Sequence, residues 1–89
     1  MTSAELIAAE YDRLKAMSLE KNAAYGDTAL SPIGIFSHLS GSEAIKARID
    51  DKLSRVKNQP DAFGEDPVDD LIGYLVLLRC AWRKERGEA

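Results

Sequence analysis

The sequence predicts an all-α fold, a small bundle of about three main helices within one domain over residues 1–89, assembling as a homo-oligomer. Three observations predict it. Apolar residues recur at three- and four-residue steps in three separate stretches. Each stretch opens on helix-start chemistry: Thr2-Ser3-Ala4-Glu5, Ser40-Gly41-Ser42-Glu43 and Asp66-Pro67. The last stretch is apolar on more than one side, so more than one neighbour must cover it.

In the first helix Thr2 and Glu5 spell a capping box, in which the hydroxyl and the carboxylate each accept from the other's backbone N–H. Ile7, Tyr11, Leu14 and Ser18 then form a stripe that Leu6 and Met17 widen. Positions 4 to 25 contain neither Gly nor Pro, and Gly26 stands where a left-handed turn would end the helix. Ser31-Pro32 predicts a short helical turn through Ile33, Phe36 and Leu39. The second helix begins at Ser40, or at Ser42 as a competing cap, and carries Ile45, Ile49, Leu53 and Val56. A loop containing Pro60 spans Asn58 to Gly64. The last helix starts at Asp66-Pro67, places Asp69 and Asp70 against the helix dipole, and finishes in Arg83, Lys84 and Arg86. Between Leu71 and Trp82 its surplus of apolar side chains points to a subunit interface or to a central position in a bundle.

Composition narrows the function classes. The chain has 89 residues, so a folded monomer would bury only about 60–65% of the surface that its unfolded form exposes. Twelve Lys and Arg against fifteen Asp and Glu give a formal charge of -3, which argues against a duplex nucleic-acid binder. No apolar run reaches about 18 residues and no basic-then-apolar leader precedes the first helix, so neither a membrane span nor a signal peptide is expected. The single cysteine, Cys80, fits a reducing cytoplasm, and the single histidine, His38, excludes a multi-histidine metal site within one chain. No Walker or dinucleotide glycine pattern, paired Cys-x-x-Cys or motif-supported nucleophile is found, so the expectation is a protein that is no enzyme and needs no cofactor.

Three clusters carry the chemistry that remains. Lys21-Asn22-Ala23-Ala24-Tyr25-Gly26-Asp27-Thr28 combines a cation, an amide, an aromatic ring and a hydroxyl, which suit a phosphate and a stacked base. Taken alone, it also reads as a glycine C-cap with local turn bonds. Arg48, Lys52 and Arg55 fall on one helix face and suit phosphate oxygens, whereas with Asp51 they read as a solvated ion-pair ladder. Glu65, Asp66, Asp69 and Asp70, with Asp50 and Asp51 nearby, offer carboxylates for Mg²⁺. Acids in a first turn are otherwise the usual answer to the helix dipole, and no metal is assigned to them. Tyr11 is an aromatic halfway along a polar-flanked helix, suited to a core, an interface or a stacking platform.

The strings Lys-Asn-Ala-Ala-Tyr-Gly-Asp-Thr, Arg-Ile-Asp-Asp-Lys-Leu-Ser-Arg and Asp-Asp-Leu-Ile-Gly-Tyr-Leu, in that order, resemble small helical phage proteins and the broader phage nucleotide-modification-associated domain. In size and layout, from Tyr11 to Trp82, the chain resembles the phage anti-CBASS sponges that sequester cyclic oligonucleotide messengers. That resemblance implies a homohexamer, with cyclic dinucleotides held between protomers and cyclic trinucleotides in separate pockets near a threefold axis. Tyr11 and Lys21 match the family's dinucleotide-binding tyrosine and lysine, and Thr28 its trinucleotide-binding threonine; the matching arginine is Arg48, Arg55 or neither. The full candidate set is Tyr11, Lys21, Asn22, Tyr25, Thr28, Arg48, Lys52 and Arg55. The competing expectation is an all-α, Mg²⁺-dependent nucleotide pyrophosphohydrolase built on Asp50, Asp51, Asp69 and Asp70, although the paired-glutamate helix motif of that class is absent.

Overall fold

A computed structural model describes residues 1–32, 34–58 and 66–88. They form three helices and no strand: α1 (Ser3–Tyr25), α2 (Gly41–Asn58) and α3 (Pro67–Glu85). Ile33, one residue of the predicted turn, and the residues from Gln59 to Glu65, including most of the predicted loop, lie outside the described residues.

The helix starts follow the sequence chemistry. Thr2 Oγ1 accepts from the Glu5 N–H at 3.1 Å, and Glu5 Oε1 accepts from the Thr2 N–H at 3.2 Å, closing the capping box. The same backbone donor holds the Glu5 carboxyl below its ordinary range. Ser40 rather than Ser42 caps α2, its hydroxyl accepting from the Glu43 N–H at 3.3 Å. Ser42 is buried and shares a 3.3 Å hydrogen bond with the Ser40 hydroxyl. Asp66 Oδ1 accepts from the N–H groups of Val68 and Asp69, with Pro67 in the first turn.

The connection between α1 and α2 corrects one expectation. Ser31-Pro32 does not start a helical turn: no described residue from Thr28 to Ser40 is helical. The Ser31 N–H donates to the Asp27 carbonyl at 2.8 Å, closing a turn immediately after α1, and Gly34 at φ 74° redirects the chain before a helix can nucleate. Phe36 is consequently 98% exposed. Gly41 has a separate reason: a Cβ there would lie 2.9 Å from the carbonyl oxygen of Leu30, so the loop can rest on the start of α2 only if that position lacks a side chain.

The core belongs to an antiparallel pair, α2 on α3. Ile45, near the start of α2, packs with Leu78 and Ala81 near the end of α3, and Leu30, Ile49, Tyr74, Leu77 and Trp82 close around them. Ile45 is 1% exposed and is the largest fully buried side chain among the described residues. The length of α1 makes it look central, yet none of its residues is buried. Leu14, Met17 and Ser18 at its middle are half-buried, while Leu6, Ile7 and Tyr11 remain in solvent although they lie on the same side of the helix. Charge joins α1 and the turn after it to α3: Arg13 to Asp69, Lys21 to Asp70, and Asp27 to Lys84 at 3.7 Å. Among the described residues no helix is long and apolar enough to cross a membrane.

Candidate functional site

The three helices meet at Asp70, in the first turn of α3. Its Oδ1 accepts from Lys21 Nζ of α1 at 2.9 Å, and its Oδ2 lies 3.3 Å from Lys52 Nζ of α2. The Lys52 side chain is only 12% exposed, so this end of the site is drawn well into the protein. Burial opposes charge on Asp70, but the hydrogen bonds and charges of Lys21 and Lys52 outweigh it and hold the carboxyl below its ordinary range. The Lys21 ammonium is shifted upward, chiefly by its hydrogen bond to Asp70 against partial desolvation, with Tyr74 and Tyr25 close enough to add to the effect. The Arg48 guanidinium lies over the Tyr74 ring, 6.0 Å from its centroid, and extends the cluster along α2.

A second ion pair stands beside the first. Arg13 Nη1 and Nη2 form a two-bond fork with Asp69, at 2.8 and 2.9 Å, while Nη2 also meets Glu10 at 2.7 Å. These bonds hold the Asp69 and Glu10 carboxyls below their usual range and push the Arg13 guanidinium further up. Adjacent aspartates thus bind α1 at positions eight residues apart, bracketing the half-buried Leu14, Met17 and Ser18.

The structure brings Lys21, Tyr25, Lys52 and Arg48 into one neighbourhood and leaves the other candidates apart. Tyr11 is 74% exposed and about 15 Å from Lys21 along the axis of α1. Asn22 donates to the Gly26 carbonyl at 3.4 Å and Thr28 to the Tyr25 carbonyl at 3.5 Å, the local turn bonds of a glycine C-cap. Gly26 itself has φ 70° and ψ -158°, a conformation nearly confined to glycine. Arg55 pairs with Asp51 at 3.5 Å, one rung of the anticipated ladder.

The Arg48, Lys52 and Arg55 row is therefore engaged within the chain, Arg48 with an aromatic face and the other two with carboxylates. Among the described residues no group of three or more His, Cys, Asp or Glu side chains is placed to hold a metal ion; Glu65 lies outside them. In the sequence Asp70 reads as a helix-dipole acid and a member of a carboxylate cluster, and Tyr74 and Arg13 carry no role. Tyr74 stands four residues after Asp70 on the same side of α3, and that spacing is the signal that links them.

The fold is that of a small all-α protein whose polar centre joins three helices. No family model, curated protein or solved structure matches the chain.

Proposed function

We propose that the chain is a binding protein, without turnover, that sequesters cyclic di- and trinucleotide messengers and so blocks CBASS-type signalling in the host cytoplasm. The observation that supports it is the convergence of Lys21 and Lys52, from two helices, beside Tyr25 and Tyr74. A cyclic dinucleotide presents two phosphodiesters and two flat bases. Ammonium groups and aromatic faces answer those features directly. Asp70 supplies the negative charge between the two lysines in the unliganded chain, and a phosphodiester would exchange for it.

The sequence resemblance supports a homohexamer with pockets shared between protomers. The position of Tyr11 agrees with sharing: with about 15 Å of helix between it and Lys21, one small ligand would take Tyr11 from one protomer and Lys21 from another. Thr28 and an arginine serve the trinucleotide pocket in this reading.

Calorimetry with a panel of cyclic di- and trinucleotides tests the proposal, followed by recovery of the ligand from heat-denatured protein. The expected result is saturable binding, intact ligand on release, and loss of at least tenfold in affinity for Tyr11→Ala and Lys21→Ala. Absence of binding across the panel, or release of cleaved ligand, overturns it.

A further inference from the structure

We propose that the last two turns of α3 carry a binding surface for single-stranded nucleic acid, built on Arg79, Arg83 and Arg86 beside Trp82, with Glu88 as its internal occupant. Helical geometry puts the three arginines within about 60° of one another and Trp82 on their flank, over a rise of about 10 Å. The helix dipole accounts for cations in the final turn but not for this alignment. Arg79 stands before the last turn, beyond the dipole's range, and Lys84, which answers the dipole equally well, pairs on another side with Asp27.

The end of α3 shows how the surface takes an anion. Gly87 has φ 76°; its N–H donates to the Lys84 carbonyl at 3.0 Å, and the Glu88 N–H donates to the Arg83 carbonyl at 2.9 Å. This pair of bonds is the glycine-stopped turn that satisfies the final carbonyls, and it fixes the Glu88 backbone. The Glu88 carboxylate is thereby returned onto the row. Its Oε2 lies 2.6 Å from Arg86 Nε and its Oε1 3.7 Å from Arg83 Nε. One carboxylate spanning two guanidiniums stands where two oxygens of a phosphate would. The Arg83 and Arg86 side chains are 64% and 59% exposed, so this occupant is weakly held and open to exchange.

The ligand class follows from what surrounds the cations. The Arg79 guanidinium lies over the Trp82 ring, 5.6 Å from its centroid, and among the described residues no carboxylate pairs with it. A guanidinium over an indole is a platform on which an unpaired base continues the stack, while Arg83 and Arg86 meet phosphates. A duplex keeps its base faces inside and offers this platform nothing. The exposed side chains from position 79 to 86 are all charged, so a lipid surface would bury no apolar group beside the cations. The row stands about 20–30 Å along the axis from Asp66, where residues 59–65 lead into α3, beyond the reach of seven residues tied at both ends. It is also about 14–24 Å from Asp70, so this inference does not rest on the cyclic-nucleotide reading.

Trp82 is the sole tryptophan of the chain, so its fluorescence reads the surface directly. The full chain is titrated with a short oligothymidylate at low salt, and circular dichroism checks that variants keep their helicity. The expected result is saturable quenching, with a log–log salt slope of about −2 from three cations on a single strand. Arg83→Gln and Arg86→Gln each weaken binding at least threefold and flatten the slope by about 0.7. Arg79→Lys keeps the slope and loses most of the quenching. Glu88→Gln, which leaves all three cations in place, binds several-fold tighter and decides the matter should an arginine variant fray the helix end. No quenching in the wild type, or an affinity unchanged in Glu88→Gln, overturns the surface. Binding to phosphatidylserine vesicles without binding to the oligonucleotide overturns it as well. Calorimetry with a cyclic dinucleotide is expected to be the same for Arg83→Gln and the wild type; a parallel loss there merges this surface with the site at Asp70 and overturns it as a separate one.

Discussion

Lys21 of α1 and Lys52 of α2 end on opposite oxygens of the same carboxylate, at 2.9 and 3.3 Å from Asp70. One side chain of α3 thereby meets both other helices. Among the described residues the apolar core involves α2, α3 and the loop residue Leu30, so the position of α1 depends on charge to a degree unusual for a 23-residue helix.

Asp70→Asn keeps the shape and removes the charge. Lys21 is half exposed, which discounts its pair, while the Lys52 pair sits in a more enclosed position. The expected loss is about 1 kcal/mol, a fall of roughly 4–8 °C in Tm for a domain of this size, read by thermal circular dichroism. The same variant removes the carboxylate that a phosphodiester must displace from Lys21, and its affinity for a cyclic dinucleotide is expected to rise several-fold. An unchanged Tm would separate Asp70 from the placement of α1.

The attachment of α1 is expected to fail first in acid. Asp69 and Asp70 have folded pKa values below their unfolded ones. Their contribution is fully present above the ordinary carboxylate range, about pH 4, and is lost as pH falls through the lower folded values. Lys21 is shifted the other way, so its contribution is present below about pH 10 and is lost as pH rises through the raised folded value. Amide hydrogen exchange resolved by residue should show α1 losing protection at either extreme while α2 and α3 keep theirs. Loss of protection in all three helices together would contradict this separation.

Ile45→Ala removes the side chain on which Leu78 and Ala81 close. Such a deletion costs about 2–5 kcal/mol, depending on how far the site collapses. With few other buried side chains among the described residues to compensate, the variant is expected to be largely unfolded at 37 °C, whereas Ile45→Val loses only about 1 kcal/mol. Far-ultraviolet circular dichroism during thermal melts distinguishes them.

The helices were legible in the chain because their causes are local. The Thr2–Glu5 box, the Asp66-Pro67 start and Gly26 after Tyr25 act within a few residues of themselves, and the observed bounds follow them closely. The turn expected after Pro32 failed for an equally local reason, since Gly34 breaks it. The surplus of apolar residues on α3 was visible as a total, but only the packing of α2 sorted them into an inner side and an outer one.

The site divides in the same way. Sequence alone determined which side chains carry charge and rings, and therefore what kind of ligand they suit. It could not pair Lys21 with Asp70 or Arg13 with Asp69, because partners 49 and 56 residues apart are matched by where helices cross, not by spacing along one helix. Tertiary structure decided that the positive row on α2 is engaged rather than free, and that α1 rests on ion pairs while much of its apolar stripe stays in water. The physical reason is that side-chain periodicity specifies a face, whereas only the approach of another helix specifies what that face meets.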